Sequence, residues 1–260
     1  MKKMFQIAIV VLALFLPLGL YVLRPHSQSP LPPVSGAPTN TPLAAASPTA
    51  SPLPTTPTFT PSPVIFRDDF NGLLDPGWTW VNEDPKAWNL AAFPGFLQIQ
   101  LSAGSVSSGY LTNMLLTPLP SGNVQVTTGF TFRGSENNQF AGLIFYRSGE
   151  DFLQVGRGFC RLSYPNCVRS GIYVQRFENG NLSLPNDAAP YSAYEPFFLR
   201  LARQGNKYSI ETSGDGQAWY RFAEYALEFE PTHVGLIAGQ NLGDPIAALF
   251  DFFEISQISE

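Results

Sequence analysis

The chain has 260 residues, with 20 Asp and Glu against 15 Lys and Arg and a formal net charge of −5. Nucleic-acid binding needs a basic face, so an acidic balance argues against that class of partner. The 2 cysteines have no histidine nearby, which excludes a zinc site built on them.

The first element is Met4 to Leu23, "MFQIAIVVLALFLPLGLYVL", an uncharged and almost wholly apolar run behind Lys2 and Lys3. At 1.5 Å per residue such a run spans a hydrocarbon core of roughly 30 Å. Positive charge ahead of it favours an inside N-terminus and an exported remainder. Residues 1–24 therefore read as an uncleaved signal anchor, with a cleaved signal peptide as the alternative. The anchor places the chain at the extracellular face of the cell membrane, with the membrane as a partner; cleavage would make it secreted.

Residues 25–63 change composition. They hold 12 of the chain's 24 prolines, many Ser, Thr and Ala, and no Lys, Arg, Asp or Glu. Proline removes backbone donors and favours polyproline II, and so apolar-poor a segment cannot offset the entropy of folding. The segment reads as a disordered stalk, reaching on the order of 120 Å at most at about 3.1 Å per residue.

Residues 64–260 have the length of one domain. All 20 acidic residues fall here with 12 basic ones, a net charge of −8. Strand-like runs follow in order: 96–102, 124–133, 140–147, 151–159, 171–177, 197–203, 207–213, 233–239 and 248–256. They are rich in β-branched and aromatic residues, and some alternate cleanly. In "FFLRLAR", Phe197, Leu199 and Leu201 share one face and Phe198, Arg200 and Ala202 the other. "ENGN", "RQGNK" and "SGDGQ" are turn signals between them. No segment shows a sustained helical period with caps. The fold class is all-β, a sandwich or barrel of short antiparallel strands.

Two local features stand out in this domain. Cys160 and Cys167 bracket the turn-like "RLSYPN", and in an oxidising exterior they read as a disulfide pinning a hairpin. "SGDGQAW", residues 213–219, resembles the Asp-box turn of propellers with one residue missing, but occurs once. Its plain reading is a tight turn with Trp219 packing back onto the sheet.

The order of motifs then carries a resemblance. "DDFNGLLDPGW" (68–78) resembles the opening of concanavalin A-like lectin/glucanase sandwiches. "WNL…PGFLQI" (Trp88 to Ile99) is similar to the C-terminal sandwich of family-43 β-xylosidases. "AGLIFYR", "LARQGNKYSIETSGDGQAW", "THVGLIAG" and "FDFFEI" continue it across nearly all of 66–255. The resemblance implies a two-sheet antiparallel jelly roll with one sheet curved into a concave face. It also implies an accessory role, since the sandwich of such xylosidases is not their catalytic domain. The catalytic E-x-D-x-x-E strand of the sandwich glucanases is not found in this sequence.

The resemblance further implies a structural calcium. Related glucanases tie the first strand to the last through an acid in "D-E-F-N-G", its glycine's carbonyl and an Asp on the closing strand. Matched residue by residue these are Asp69, Gly72 and Asp251, with Asp at 69 in place of Glu. Calcium accepts such hard oxygen ligands, backbone carbonyls included. The competing reading has Asp69 accepting bonds from backbone amides of the following turn.

A glycosidase needs two carboxylates facing each other across a groove. Asp68 and Asp69 are neighbours whose side chains point to opposite faces of a strand, and the pairs Glu83–Asp84 and Glu150–Asp151 share that difficulty. His233 has no nucleophile elbow beside it. Sugar binding would instead use aromatic faces, for which Trp80, Trp88, Tyr146 and Tyr173 are the candidates; most other aromatics, Trp78 among them, must fill the core. The sequence thus points to a membrane-anchored extracellular module that binds a polysaccharide or other glycan. An envelope structural or protein-interaction domain is the second reading, and a divergent glycosidase the third.

Overall fold

The computed structural model describes residues 62–161, 167–183, 188–190, 197–240 and 242–258. The expected apolar helix at 4–23 and nearly all of the stalk at 25–63 lie outside them. Among the described residues no helix is long and apolar enough to cross a membrane.

Sixteen strands are described, and no helix. In chain order they are β1 (Val64–Asp68), β2 (Thr79–Val81), β3 (Trp88–Asn89), β4 (Leu97–Gln100), β5 (Met114–Pro118), β6 (Val124–Thr131), β7 (Phe140–Tyr146) and β8 (Phe152–Phe159). There follow β9 (Ser170–Glu178), β10 (Asn181–Ser183), β11 (Ala188–Pro190), β12 (Phe197–Gln204), β13 (Lys207–Ser213), β14 (Tyr220–Ala226), β15 (His233–Gly239) and β16 (Ala247–Gln257).

They form two antiparallel sheets. The first runs β14-β13-β12-β6-β16-β4-β3, with β1 beside β16. The second runs β10-β9-β8-β7-β15-β5-β2, with β11 beside β9. Sequence neighbours often lie in different sheets, as in a jelly roll: β6 and β7 are on opposite layers. The closing strand β16 pairs with β6 along its length and with β4 and β1 in turn on its other edge. A register shift between Phe250 and Phe252 makes Asp251 the bulged residue of that strand, and bulges characteristically re-aim a side chain.

Period-2 alternation supplies the core. Phe197, Leu199 and Leu201 of β12 are fully buried, while Phe198, Arg200 and Ala202 face outward and are half-buried. Phe130, Phe197 and Phe250 pack with ring centroids 5.4 Å apart in two contacts. Each such ring stabilises the fold by about 1.5–3 kcal/mol relative to exposure. Trp78 joins the same core, its ring edge-on to Phe66 at 5.1 Å and Phe253 at 4.7 Å.

The second sheet departs from simple alternation. Phe152 through Gly158 of β8 are buried on both faces, because a second apolar cluster lies on the sheet's outer side. It joins Met114, Leu116, Phe140, Ile144, Phe152 and Ile237 to Val106 and Leu111 of the segment that precedes β5.

Candidate functional site

The acidic opening segment resolves into two unlike aspartates. Asp68 is 7% exposed and accepts three hydrogen bonds, from the Phe70 amide (2.8 Å), the Asp75 amide (2.9 Å) and the Trp78 indole (2.9 Å). It fastens the turn after β1 to the core. Asp69 points to the other face and is held by Arg67, whose Nε and Nη2 donate to the same oxygen at 2.9 and 2.6 Å. The backbone amides are thus caught by Asp68, one residue before the position considered for that role.

Asp251, on the bulge of β16, comes close enough to Asp69 to feel its charge. Burial first, and the Asp69 carboxylate second, push its carboxyl pKa up, while Arg67 opposes them. Gly72 has φ +94°, a conformation that favours glycine. Among the described residues no three acidic or imidazole side chains converge.

The four aromatic candidates divide between two places. Trp80 on β2 and Trp88 on β3 pack on each other, centroids 5.0 Å apart, and bridge the two sheets at the edge of the core. The Trp88 indole donates to Glu83 at 3.1 Å. Trp88 also lines two surface cavities. One, of about 360 Å³, is walled by Trp88, Lys86, Asn89, Gln98 and Gln100, with Ile246 and Ala247 behind. The other, of about 370 Å³, is more apolar and lies against Leu73, Leu74, Pro85 and Leu90.

Tyr146 and Tyr173 sit elsewhere, on the outer face of the second sheet against its apolar cluster. Tyr173 fixes the disulfide loop: its hydroxyl donates to the Arg169 carbonyl (2.7 Å), accepts from the Val168 amide (3.1 Å) and lies 3.1 Å from Cys160 Sγ. Cys160 and Cys167 are bonded, with Cα atoms 5.7 Å apart. Burial raises the pKa of both tyrosines.

A family model for the beta xylosidase C-terminal concanavalin A-like domain, GH43_C2, matches residues 67–256. The chain belongs to this family. Its fold is similar to that of the GH43 protein BlXynB from Bacillus licheniformis, with a TM-score of 0.65 and 21% identity over 74% of this chain and 39% of that one. A xylan beta-1,4-xylosidase from Bacillus halodurans gives a TM-score of 0.64 and 20% identity over 80% of this chain and 42% of that one. The chain thus spans about two fifths of the length of these relatives. A Bacillus licheniformis beta-glucanase shares the fold at a TM-score of 0.51 and 12% identity, over 74% of this chain and 98% of that one. No curated protein matches the chain.

Within this GH43_C2 domain three carboxylates of the pairs Glu83–Asp84 and Glu150–Asp151 are engaged in structural bonds. Glu83 holds Trp88, Asp84 accepts from the Lys86 amide at 3.0 Å, and Asp151 takes the Asn179 amide, Ser148 and Arg147. Those bonds, the Asn179 amide foremost, hold the Asp151 carboxyl below the usual range. Sequence reasoning singled out Trp88 but missed Gln98 and Gln100 beside it. The signal was present: in "LQIQ" the apolar Leu97 and Ile99 are buried, which turns both glutamines to the outer face.

Proposed function

We propose that the chain is a membrane-anchored, extracellular, non-catalytic module that binds carbohydrate in the cavity beside Trp88. The observation that carries this reading is the cavity's chemistry. Trp88 stands opposite Ile99 with its indole on the core side, while Asn89 and its neighbour Gln98 face outward into the cavity. Gln98 and Gln100 each present a carbonyl and an NH₂ to ring hydroxyls, and among the described residues neither side-chain amide has a hydrogen-bond partner. A volume of about 360 Å³ lies at the lower end of ligand pockets, about 300–1,000 Å³. Family membership supports an accessory role, and the apolar run at 4–23 with the proline-rich stalk supports display beyond the membrane.

The test is a glycan-array screen of the 260-residue chain beside its Gln98→Ala, Gln100→Ala double variant. Binding to a defined polysaccharide that falls at least tenfold in the variant is expected. Equal binding by both proteins, or none by either, would sink the reading.

We also propose that Asp69, Asp251 and the Gly72 carbonyl hold a structural calcium that ties β1 to β16. The raised carboxyl of Asp251 supports it, and water would complete the 6–8 oxygens the ion takes. Millimolar calcium is expected to raise the melting temperature of the wild type and not of Asp251→Asn.

A further inference from the structure

The cavity beside Trp88 carries one charge. Among the described residues that line it, Lys86 is the only charged one. Its place is set by the backbone of the turn "EDPKAW". The Lys86 amide donates to Asp84 Oδ1 at 3.0 Å, and the Ala87 amide to the Asp84 carbonyl at 3.0 Å. The Gln100 amide donates to the Ala87 carbonyl at 2.8 Å, which stitches the turn to β4. Residue 86 is thereby held beside Gln100.

Among the described residues the Lys86 ammonium pairs with no carboxylate and donates no hydrogen bond. Acids are not scarce: residues 64–260 hold 20 acidic residues to 12 basic ones, and Arg67, Arg147 and Arg200 each hold one. The carboxylates nearest in sequence are turned to other work. Glu83 accepts from the Trp88 indole and Asp84 from the Lys86 amide, and neither lines the cavity. The other polar groups are amides. Asn89 Oδ1 accepts from the Ala91 and Ala92 amides at 2.6 and 2.8 Å, so the network leaves its Nδ2 as a free donor. Gln98 stands opposite Asn89, and Gln100 opposite the small Ala247. The site therefore offers one cation and three amides, with no acid to answer the cation.

We infer that this cavity selects an acidic glycan, with the Lys86 ammonium receiving the carboxylate of a hexuronic acid and Asn89, Gln98 and Gln100 its hydroxyls; the inference rests on the carbohydrate reading of the same cavity. A hydrogen bond between two ionised groups is roughly twice as strong as a neutral one, so the carboxylate decides the choice of sugar. The domain's net charge of −8 does not cancel this attraction. Exposed charges farther than about 8 Å from the ligand are largely screened at physiological ionic strength, whereas Lys86 acts at contact. The same net charge disfavours a multiply sulfated glycan, because one cation answers one negative charge.

The experiment titrates the 260-residue chain by calorimetry with tetramers of galacturonic, glucuronic and mannuronic acid, each beside its neutral methyl ester. At least one acid is expected to bind about tenfold more tightly than its ester. Lys86→Gln is expected to remove that preference while leaving the ester's affinity unchanged, and Lys86→Arg, which keeps the charge, to retain it. Equal affinity for every acid and its ester, or a preference that survives Lys86→Gln, overturns the proposal. Failure of the carbohydrate reading itself shows separately, as binding of acids and esters alike that the Gln98→Ala, Gln100→Ala double variant does not weaken, or as no binding of either; both outcomes overturn the proposal with it.

Discussion

Asp68 and Asp69 show how much one position matters. Alternation along a strand predicts that they face opposite ways, and they do: one is buried beneath Trp78, the other is exposed with Arg67. Which of the two turns inward depends on pairing with β16, where Asp68 stands opposite Phe253, and a single strand's sequence does not carry that register. Asp68→Ala strips an acceptor from three donors and is expected to cost about 3 kcal/mol, since each stranded buried donor costs about 1–3 kcal/mol and they relax together. Asp69→Ala breaks a surface ion pair worth about 0–1 kcal/mol. Urea denaturation of the two variants checks the difference; equal losses would contradict the assignment. Asp251 has the opposite dependence from a paired carboxylate. Its folded-state pKa is raised, so its contribution is present below the unfolded pKa and is lost as pH rises through the folded value. Without calcium, Asp251→Asn is expected to raise the melting temperature at pH 7 and to lose that advantage below pH 4.

At the scale of elements, the strands that alternate or carry strong turn signals were legible. The runs expected at 197–203, 207–213 and 233–239 are β12, β13 and β15. β5 was not, because "MLLTP" is buried on both faces beneath Val106 and Leu111 of the segment that precedes it and shows no period. β14 was missed for the reverse reason: "YRFAEYA" has no buried position and an irregular exposure pattern. β2 and β3, three and two residues long, are too short for any period. The turn at 213–219 forms as a tight turn. Ser213 Oγ accepts from the Asp215 and Gly216 amides, and Asp215 accepts from Gln217 and Ala218. Trp219 lies under the Arg200 guanidinium at 3.7 Å. The disulfide closes a loop of eight residues, for which chain entropy predicts about 2.5 kcal/mol of stabilisation. The Cys160→Ser, Cys167→Ser double variant should lose about that much in denaturant titrations, and an undiminished stability would show that the bond constrains little.

For the molecule as a whole, the all-β sandwich was legible because its patterns are repetitive, and the proposed binding face was not, because it is assembled from distant segments. The Trp88 cavity joins residues 86–89, 98–100 and 245–247, which only the pairing of β4 with β3 and β16 brings together. A shared fold does not give function, so the central claim rests on that cavity. It is tested most directly by following the Trp88 indole and the Gln98 and Gln100 side-chain amides by NMR while the chain is titrated with the glycan that binds best on the array. Saturable shifts of all three signals at one common dissociation constant are predicted. Unmoved signals at Trp88, Gln98 and Gln100, with shifts confined to other parts of the domain, would contradict it.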